Sequence, residues 1–444
     1  MEFQKIKLHR SEKNRAAVTQ ITLDDDYNVP DYRQDIVKVI KERGELRFDE
    51  VKAMEGAAWI KGSLVFKVLY RSDKQEGKIS CLRGEIPFQE RLNMDGLSEY
   101  DAVHATGDME DLTIGVINSR KLNVRAVIVL TASSEKEVDE ELTCELSDGS
   151  SYEQNIVEKE ALKLLVVRRD ICRQKSEAVL PSSKPNIREI LWQSMQLRNV
   201  ESRLVEGNIR LSGEILVSIL YNDEEEGEHL SWYETTVPLD AQAECGVMED
   251  DCIWQVQMVP LTMELEVKPD YDGEERILVM ELALDTHIRI WKEEKIRLLT
   301  DLYSLQKEVK PVFRECPLER LLVKNAAKCR MTEQMELKED KEKVLQICSC
   351  EGKVLLERQE IKTDGVLAEG TVEVNILYIT PDDHMPVGAV QEIYPFSQLV
   401  EIPEMSAQAK VELDASLEQL SAVMLDQEHV EIRAAVRLDL IAFV

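Results

Sequence analysis

Aromatic residues are scarce in this chain, at 5% of 444 positions, whereas a surface that holds sugars stacks them on aromatic rings. The five tryptophans, Trp59, Trp192, Trp232, Trp254 and Trp291, fall at unrelated positions and read as core. Histidine is scarcer still: His9, His104, His229, His287, His384 and His429 all stand alone. No H-E-x-x-H, G-x-S-x-G, Walker loop or G-x-G-x-x-G is present. The chain therefore offers no candidate catalytic, cofactor-binding or metal-binding residue, and it is read as a non-enzyme that needs no cofactor. Long apolar runs are missing too. The best, Ala126-Val127-Ile128-Val129-Leu130, is far short of the roughly 20 residues of a membrane span. Met1 to Arg10 lacks the apolar stretch of a signal peptide. A cytosolic protein without membrane insertion is expected.

The nine cysteines, Cys81, Cys144, Cys172, Cys245, Cys252, Cys316, Cys329, Cys348 and Cys350, are odd in number and scattered. That is not how a disulfide framework is spaced. One close pair, Cys348-Ser349-Cys350, is expected to share a strand face. A structural zinc site needs a second pair or two histidines, and neither is at hand.

Charge of one sign, by contrast, is abundant. Against 55 basic residues stand 86 acidic ones, a formal net charge of −31. Such a field repels nucleic acid and anionic lipid and keeps the chain soluble. The acidic run Asp223-Glu224-Glu225-Glu226-Gly227-Glu228 and the loop Asp270-Tyr271-Asp272-Gly273-Glu274 read as solvated turns. The glycine of the second falls at the fourth position, not the sixth of a calcium loop.

The main feature is an internal repeat. Gly62-Ser63-Leu64-Val65-Phe66-Lys67-Val68-Leu69-Tyr70, Gly213-Glu214-Ile215-Leu216-Val217-Ser218-Ile219-Leu220-Tyr221 and Gly370-Thr371-Val372-Glu373-Val374-Asn375-Ile376-Leu377-Tyr378 share a glycine, seven residues and a tyrosine preceded by leucine. A proline between apolar neighbours follows each tyrosine at one spacing: Pro87, Pro238 and Pro395. Cys172-Arg173 and Cys329-Arg330 precede the second and third glycines equally. Arg125 and Arg433 follow the first and third tyrosines equally. Three tandem domains result, at 1–151, 152–308 and 309–444, the first two including connectors from about Glu137 to Ser151 and around Trp291 to Gln306.

Within each copy the even offsets from the glycine are apolar, with β-branched residues frequent among them, the pattern of a half-buried strand. The glycine is expected at the strand's start, at a bulge or close approach, and a hairpin with a variable tip follows the tyrosine. Asp31 to Arg43 and Ile187 to Met195 are spaced for a short helix in each copy. The fold class is mainly β: sandwich or barrel-like domains, repeated three times.

With the repeat laid out, the G-x₇-Y strand ending in Leu-Tyr, the apolar-Pro-apolar step and the closing arginine- and valine-containing strand resemble the SPOCS-domain family of spore-coat morphogenesis proteins. The resemblance implies a non-enzymatic assembly protein of sporulation, made in the mother-cell cytosol and acting at the forespore or spore surface. Its partners would be further copies of itself or other coat proteins. Contact with the coat's ATPase in that family runs through a C-terminal LysM module. This sequence shows no such module after its third copy, so that contact is not expected of it. The leading expectation is a scaffold that assembles in a coat layer or filament, with the terminal strand as a candidate pairing edge. The alternative is an adaptor recognising a cell-envelope glycan or peptide.

Overall fold

Period-two alternation carries through into eighteen strands, every pair of them antiparallel, and among the described residues there is no helix. The computed structural model describes residues 2–72, 77–147, 152–224, 229–249, 251–306, 308–337, 343–403, 405–406 and 408–444, with the side chains of 12–15 left aside. The first copy holds β1 (Phe3–Asn28), β2 (Lys38–Met54), β3 (Ala57–Arg71), β4 (Ile79–Asn93), β5 (Val103–Asn118) and β6 (Lys121–Leu146). The second holds β7 (Glu153–Val179), β8 (Ile187–Val205), β9 (Asn208–Asp223), β10 (Leu230–Glu244), β11 (Ile253–Pro269) and β12 (Glu275–Tyr303). The third holds β13 (Leu321–Glu336), β14 (Gln346–Ile361), β15 (Gly365–Ile379), β16 (Val387–Glu401), β17 (Lys410–Met424) and β18 (His429–Phe443).

Each copy is a sandwich of two three-stranded sheets. In the first, β2-β3-β4 form one and β1-β6-β5 the other; the second and third repeat this order strand for strand. The even-offset residues of the repeat line the space between the sheets. Leu64, Phe66, Val68 and Tyr70 meet Leu122, Val124, Ala126, Ile128 and Leu130 there, and the other copies build matching cores. Tyr70, Tyr221 and Tyr378 are completely buried. The hydroxyls of the first two donate to the carbonyls of Gln34 (3.2 Å) and Pro185 (3.1 Å), tying the turn before the second strand to the core.

The glycine of the repeat lies inside its strand rather than at the start. Opposite it the preceding strand bulges, between Phe48 and Glu50, Arg198 and Glu201, and Leu356 and Arg358. The bulge pushes a carbonyl inward, so a Cβ at Gly62 or Gly370 would press into the Arg47 or Leu355 oxygen, and one at Gly213 would lie 2.9 Å from that of Arg198.

Three further expectations are corrected. The residues spaced for helices are strand and turn. β8 bulges between Ile187 and Glu189 and again between Ile190 and Trp192, and β2 between Val39 and Lys41. Each bulge adds one residue and shifts the alternation, leaving apolar spacings that imitate a helical period. Most of each segment taken as a connector is strand as well, because β6 runs on to Leu146 and β12 to Tyr303; residues 148–151 lie outside the described residues. Finally, β18 lies between β13 and β17 and is not an edge.

Candidate assembly junction

The leucine before each repeat tyrosine has no place inside its own sandwich, since its side chain points to the opposite face of the strand. Leu69, Leu220 and Leu377 instead meet one another's copies in a single buried cluster with Ile79, Leu191, Trp192, Cys348 and Val387. A bulge at the same place in each second strand supplies part of it. The inserted residues are Ile40, Leu191 and Cys348, and all three join the cluster. The bulge also separates the cysteine pair: Cys348 faces the junction and Cys350 the core of the third sandwich. The two thiols therefore do not share a face.

Beside the apolar cluster lies a buried polar node with one element from each copy. The Glu351 carboxylate accepts hydrogen bonds from Lys41 Nζ (3.1 Å), Arg43 Nη1 (3.1 Å) and Trp192 Nε1 (2.9 Å). Burial pushes the Glu351 pKa up, but Lys41 and Arg43 outweigh it and hold the group below the usual carboxylate range. Lys41 Nζ also lies 5.3 Å from the centre of the Trp192 ring. Two other inter-copy pairs complete a closed ring. His287 Nε2 of the second copy is 3.0 Å from Glu135 of the first. Arg289 Nη1 of the second is 3.1 Å from Glu412 of the third. Burial raises the Glu135 pKa, yet the hydrogen bonds from His287 and Ser11 prevail and bring it to about 2. Nearby His104 is lowered to about 4 by burial, then by the charges of Arg169 and His287.

Strands β1 with β6, and β7 with β12, extend beyond the sandwiches as two ribbons, residues 3–12 with 136–146 and 153–163 with 292–303. Strand β1 contributes bases and β6 acids to the first. Lys5 reaches Glu141 (3.1 Å), His9 Asp139 (2.5 Å) and Arg10 Glu140 (3.3 Å). The exposed pairs are worth at most about 1 kcal/mol each; their alternation fixes which residue faces which. The ribbons pack through Leu8, Leu142, Ala161 and Ile296, and the third side of this trunk is covered by Cys316 and Leu318.

Sequence reasoning named no site residue and did not find this junction. The signal for it was present in the invariant leucine, whose conservation of position among the copies a sandwich core alone does not require. The loop at Asp270 is a turn in which Asp270 Oδ1 accepts from the amides of Asp272 and Glu274. In the acidic run, Asp223 accepts from the His229 amide (3.0 Å), and residues 225–228 lie outside the described residues. Among the described residues no group of three His, Cys, Asp or Glu side chains is arranged to hold a metal, no cysteine is in a disulfide, and no helix is long and apolar enough to cross a membrane.

The family model described as SipL, SPOCS domain, matches residues 35–117 and 343–425. Over these two segments the chain is similar to the SPOCS domain. The two matches fall at equivalent positions of the first and third copies, and each SPOCS segment covers the β2-β3-β4 type of sheet and most or all of the next strand. The middle copy builds the same strand order outside both matches. It differs where the others carry Gly44 and Gly352, having Met195 instead. The similarity to the SPOCS domain suggests a sporulation-related role. Neither a curated protein nor a solved structure matches the chain.

Proposed function

We propose that this chain is a non-enzymatic structural protein of sporulation, made in the mother-cell cytosol, that assembles in a spore-coat layer or filament. The observation that carries this reading is the junction. Three sandwiches are joined by one apolar cluster and a ring of ion pairs into a single block, and among the described residues no further strand pairs with the outer strands of its six sheets. Unpaired strand edges are templates for association with further chains. Copies of itself and other coat proteins are the partners this reading names. Nothing in the junction resembles a reaction centre: its titratable groups are committed to one another.

Negative-stain electron microscopy of the full chain over a concentration series tests the proposal. Ordered fibres, sheets or rings are the expected result. Uniform particles of 50.9 kDa at every concentration would overturn it.

A further inference from the structure

The fifth strand of the middle copy departs from its two counterparts at one bulge. The residues before, in and after that bulge are Met109, Glu110 and Asp111 in β5, and Leu417, Glu418 and Gln419 in β17. In β11 they are Pro260, Leu261 and Thr262. A charge on an edge strand guards it against association. The middle copy carries none there, and Val259 is 47% exposed and Leu261 48%.

The same stretch borders a cleft. In the outer copies a glycine of the second strand lets the fifth strand close in: a Cβ at Gly44 would press into Met109 and Leu112, and one at Gly352 into Leu420 and Leu417. Met195 takes that place in the middle copy. There β11 lies against β8 over a much shorter stretch than β5 against β2 or β17 against β14. Met195, Leu197, Pro260 and Met263 form the apolar wall of a cleft of about 530 Å³, whose other walls come from the first and third copies.

Those other walls are acidic. Lys41 and Arg43 are committed to Glu351, and Lys353 Nζ is 3.2 Å from Asp108. Glu42, Glu110, Asp111 and Glu373 also line the cleft, and they face no base among the described residues. Their hydrogen-bond donors are neutral groups of Ile114, Gln20, Thr113 and Asn375, respectively. Burial raises the Glu42 pKa, the Ile114 backbone opposes it, and the charge of Asp111 raises it further.

We infer that this cleft docks a basic segment of another protein, which lays apolar side chains on Val259, Pro260, Leu261 and Met263 and lysine or arginine against Glu42, Asp111 and Glu373. Charge selects this occupant over a second copy: the chain carries a net charge of −31, and its own surfaces repel an acidic cleft. Side chains make the contact rather than an added strand, because a bulge and a proline blunt the β11 edge. The site goes beyond the self-assembly reading, since binding there is a property of one chain.

The test is fluorescence anisotropy of a labelled synthetic peptide of alternating lysine and leucine, titrated with the full chain. This peptide is expected to bind. Replacing its lysines by glutamate, or its leucines by glycine, should weaken binding by about tenfold or more. Leu261→Glu suits the fold, since Glu110 and Glu418 stand at its place in the other copies, and it makes the chain more acidic. It should nonetheless weaken binding about tenfold, as loss of one buried leucine contact does. Asp111→Asn with Glu373→Gln should weaken it about fivefold, and Asp95→Asn with Glu99→Gln, the same loss of charge away from the cleft, less than about twofold. No binding overturns the inference, as does equal binding of the glutamate peptide. So does binding unchanged or tightened by Leu261→Glu, or weakened equally by both acid pairs, because attraction to net charge alone would then explain it. Peptide binding without ordered assemblies under the microscope keeps this site and removes the scaffold reading; assemblies without peptide binding do the reverse.

Discussion

Lys41 donates to Glu351 across 310 positions of sequence, at 3.1 Å, and the pair joins the first copy to the third in a site closed to solvent. It is one of the contacts that pack three sandwiches, each with a complete core, into one block. Breaking one partner of a buried pair costs more than the pair contributes, because the other charge is left without compensation. Glu351→Gln is expected to destabilise the chain by about 3 kcal/mol, read from urea denaturation at neutral pH. A loss below about 0.5 kcal/mol, within the range of surface substitutions, would show that the node is not essential to the junction.

The junction leucines make a sharper claim about cooperativity. Truncating Leu220 to alanine removes buried apolar volume between copies and is expected to cost about 2–5 kcal/mol. Because Leu220 lies outside the sandwich cores, the variant should also split one unfolding transition into more than one by calorimetry. A single transition shifted downward would mean that the copies do not unfold as separate units.

Acid should loosen the contact between the first two copies in two stages. The His104 pKa is lowered from 6.5 to about 4. Its contribution is present above pH 6.5 and is lost as pH falls toward 4, since the unfolded chain takes up the proton first. The Glu135 pKa is lowered from 4.5 to about 2, so its contribution is present above 4.5 and is lost as pH falls through 2. Stability measured against pH should therefore decline across both windows. His104→Asn should flatten the upper one and Glu135→Gln the lower. Unchanged profiles in these variants would assign the acid sensitivity to other groups.

Alanine at the repeat glycines tests the bulge. Gly62→Ala and Gly370→Ala, which drive a methyl into a carbonyl, should cost about 1–3 kcal/mol. Gly213→Ala should cost least, because its bulge is wider and the oxygen lies farther away. The opposite ranking in thermal unfolding would contradict the register given for these strands.

Ser194 and Ser349 are buried with hydroxyls that have no hydrogen-bond partner, and both lie in second strands that face the junction. An unsatisfied buried hydroxyl costs about 1–3 kcal/mol. Ser349→Ala is accordingly expected to leave the melting temperature unchanged or raise it. A clear fall would show that the hydroxyl bonds to water in solution.

Much of one copy was legible from residue order. Leu64, Phe66, Val68 and Tyr70 alternate with mixed residues, and such period-two alternation of apolar side chains is the pattern of a strand with one buried face. The second strands were misread because a bulge changes the phase of that signal. Ile190, Leu191 and Trp192 are consecutive in sequence, yet the inserted Leu191 turns toward the other copies. The ends of β6 and β12 were taken as connectors because they lie beyond the length that the three copies share when counted from Gly62, Gly213 and Gly370. Their partners, Lys5, His9 and Lys163 among them, are distant in sequence and invisible to local reasoning.

Local periodicity and the spacing of Gly62, Gly213 and Gly370 thus determined that there are three copies of one β domain, because strand alternation and the need for a residue without Cβ are properties of the chain at that point. What only the tertiary structure decided is where the copies meet. The leucine before each tyrosine is one apolar side chain on a mixed face, and nothing in its own strand distinguishes a solvent-facing leucine from one that contacts another domain. The arrangement of three sandwiches supplies the missing neighbours. It turns Leu69, Leu220 and Leu377 into a shared core, and Lys41, Trp192 and Glu351 into a single charged node, since desolvation and Coulomb attraction act through space and not along the sequence.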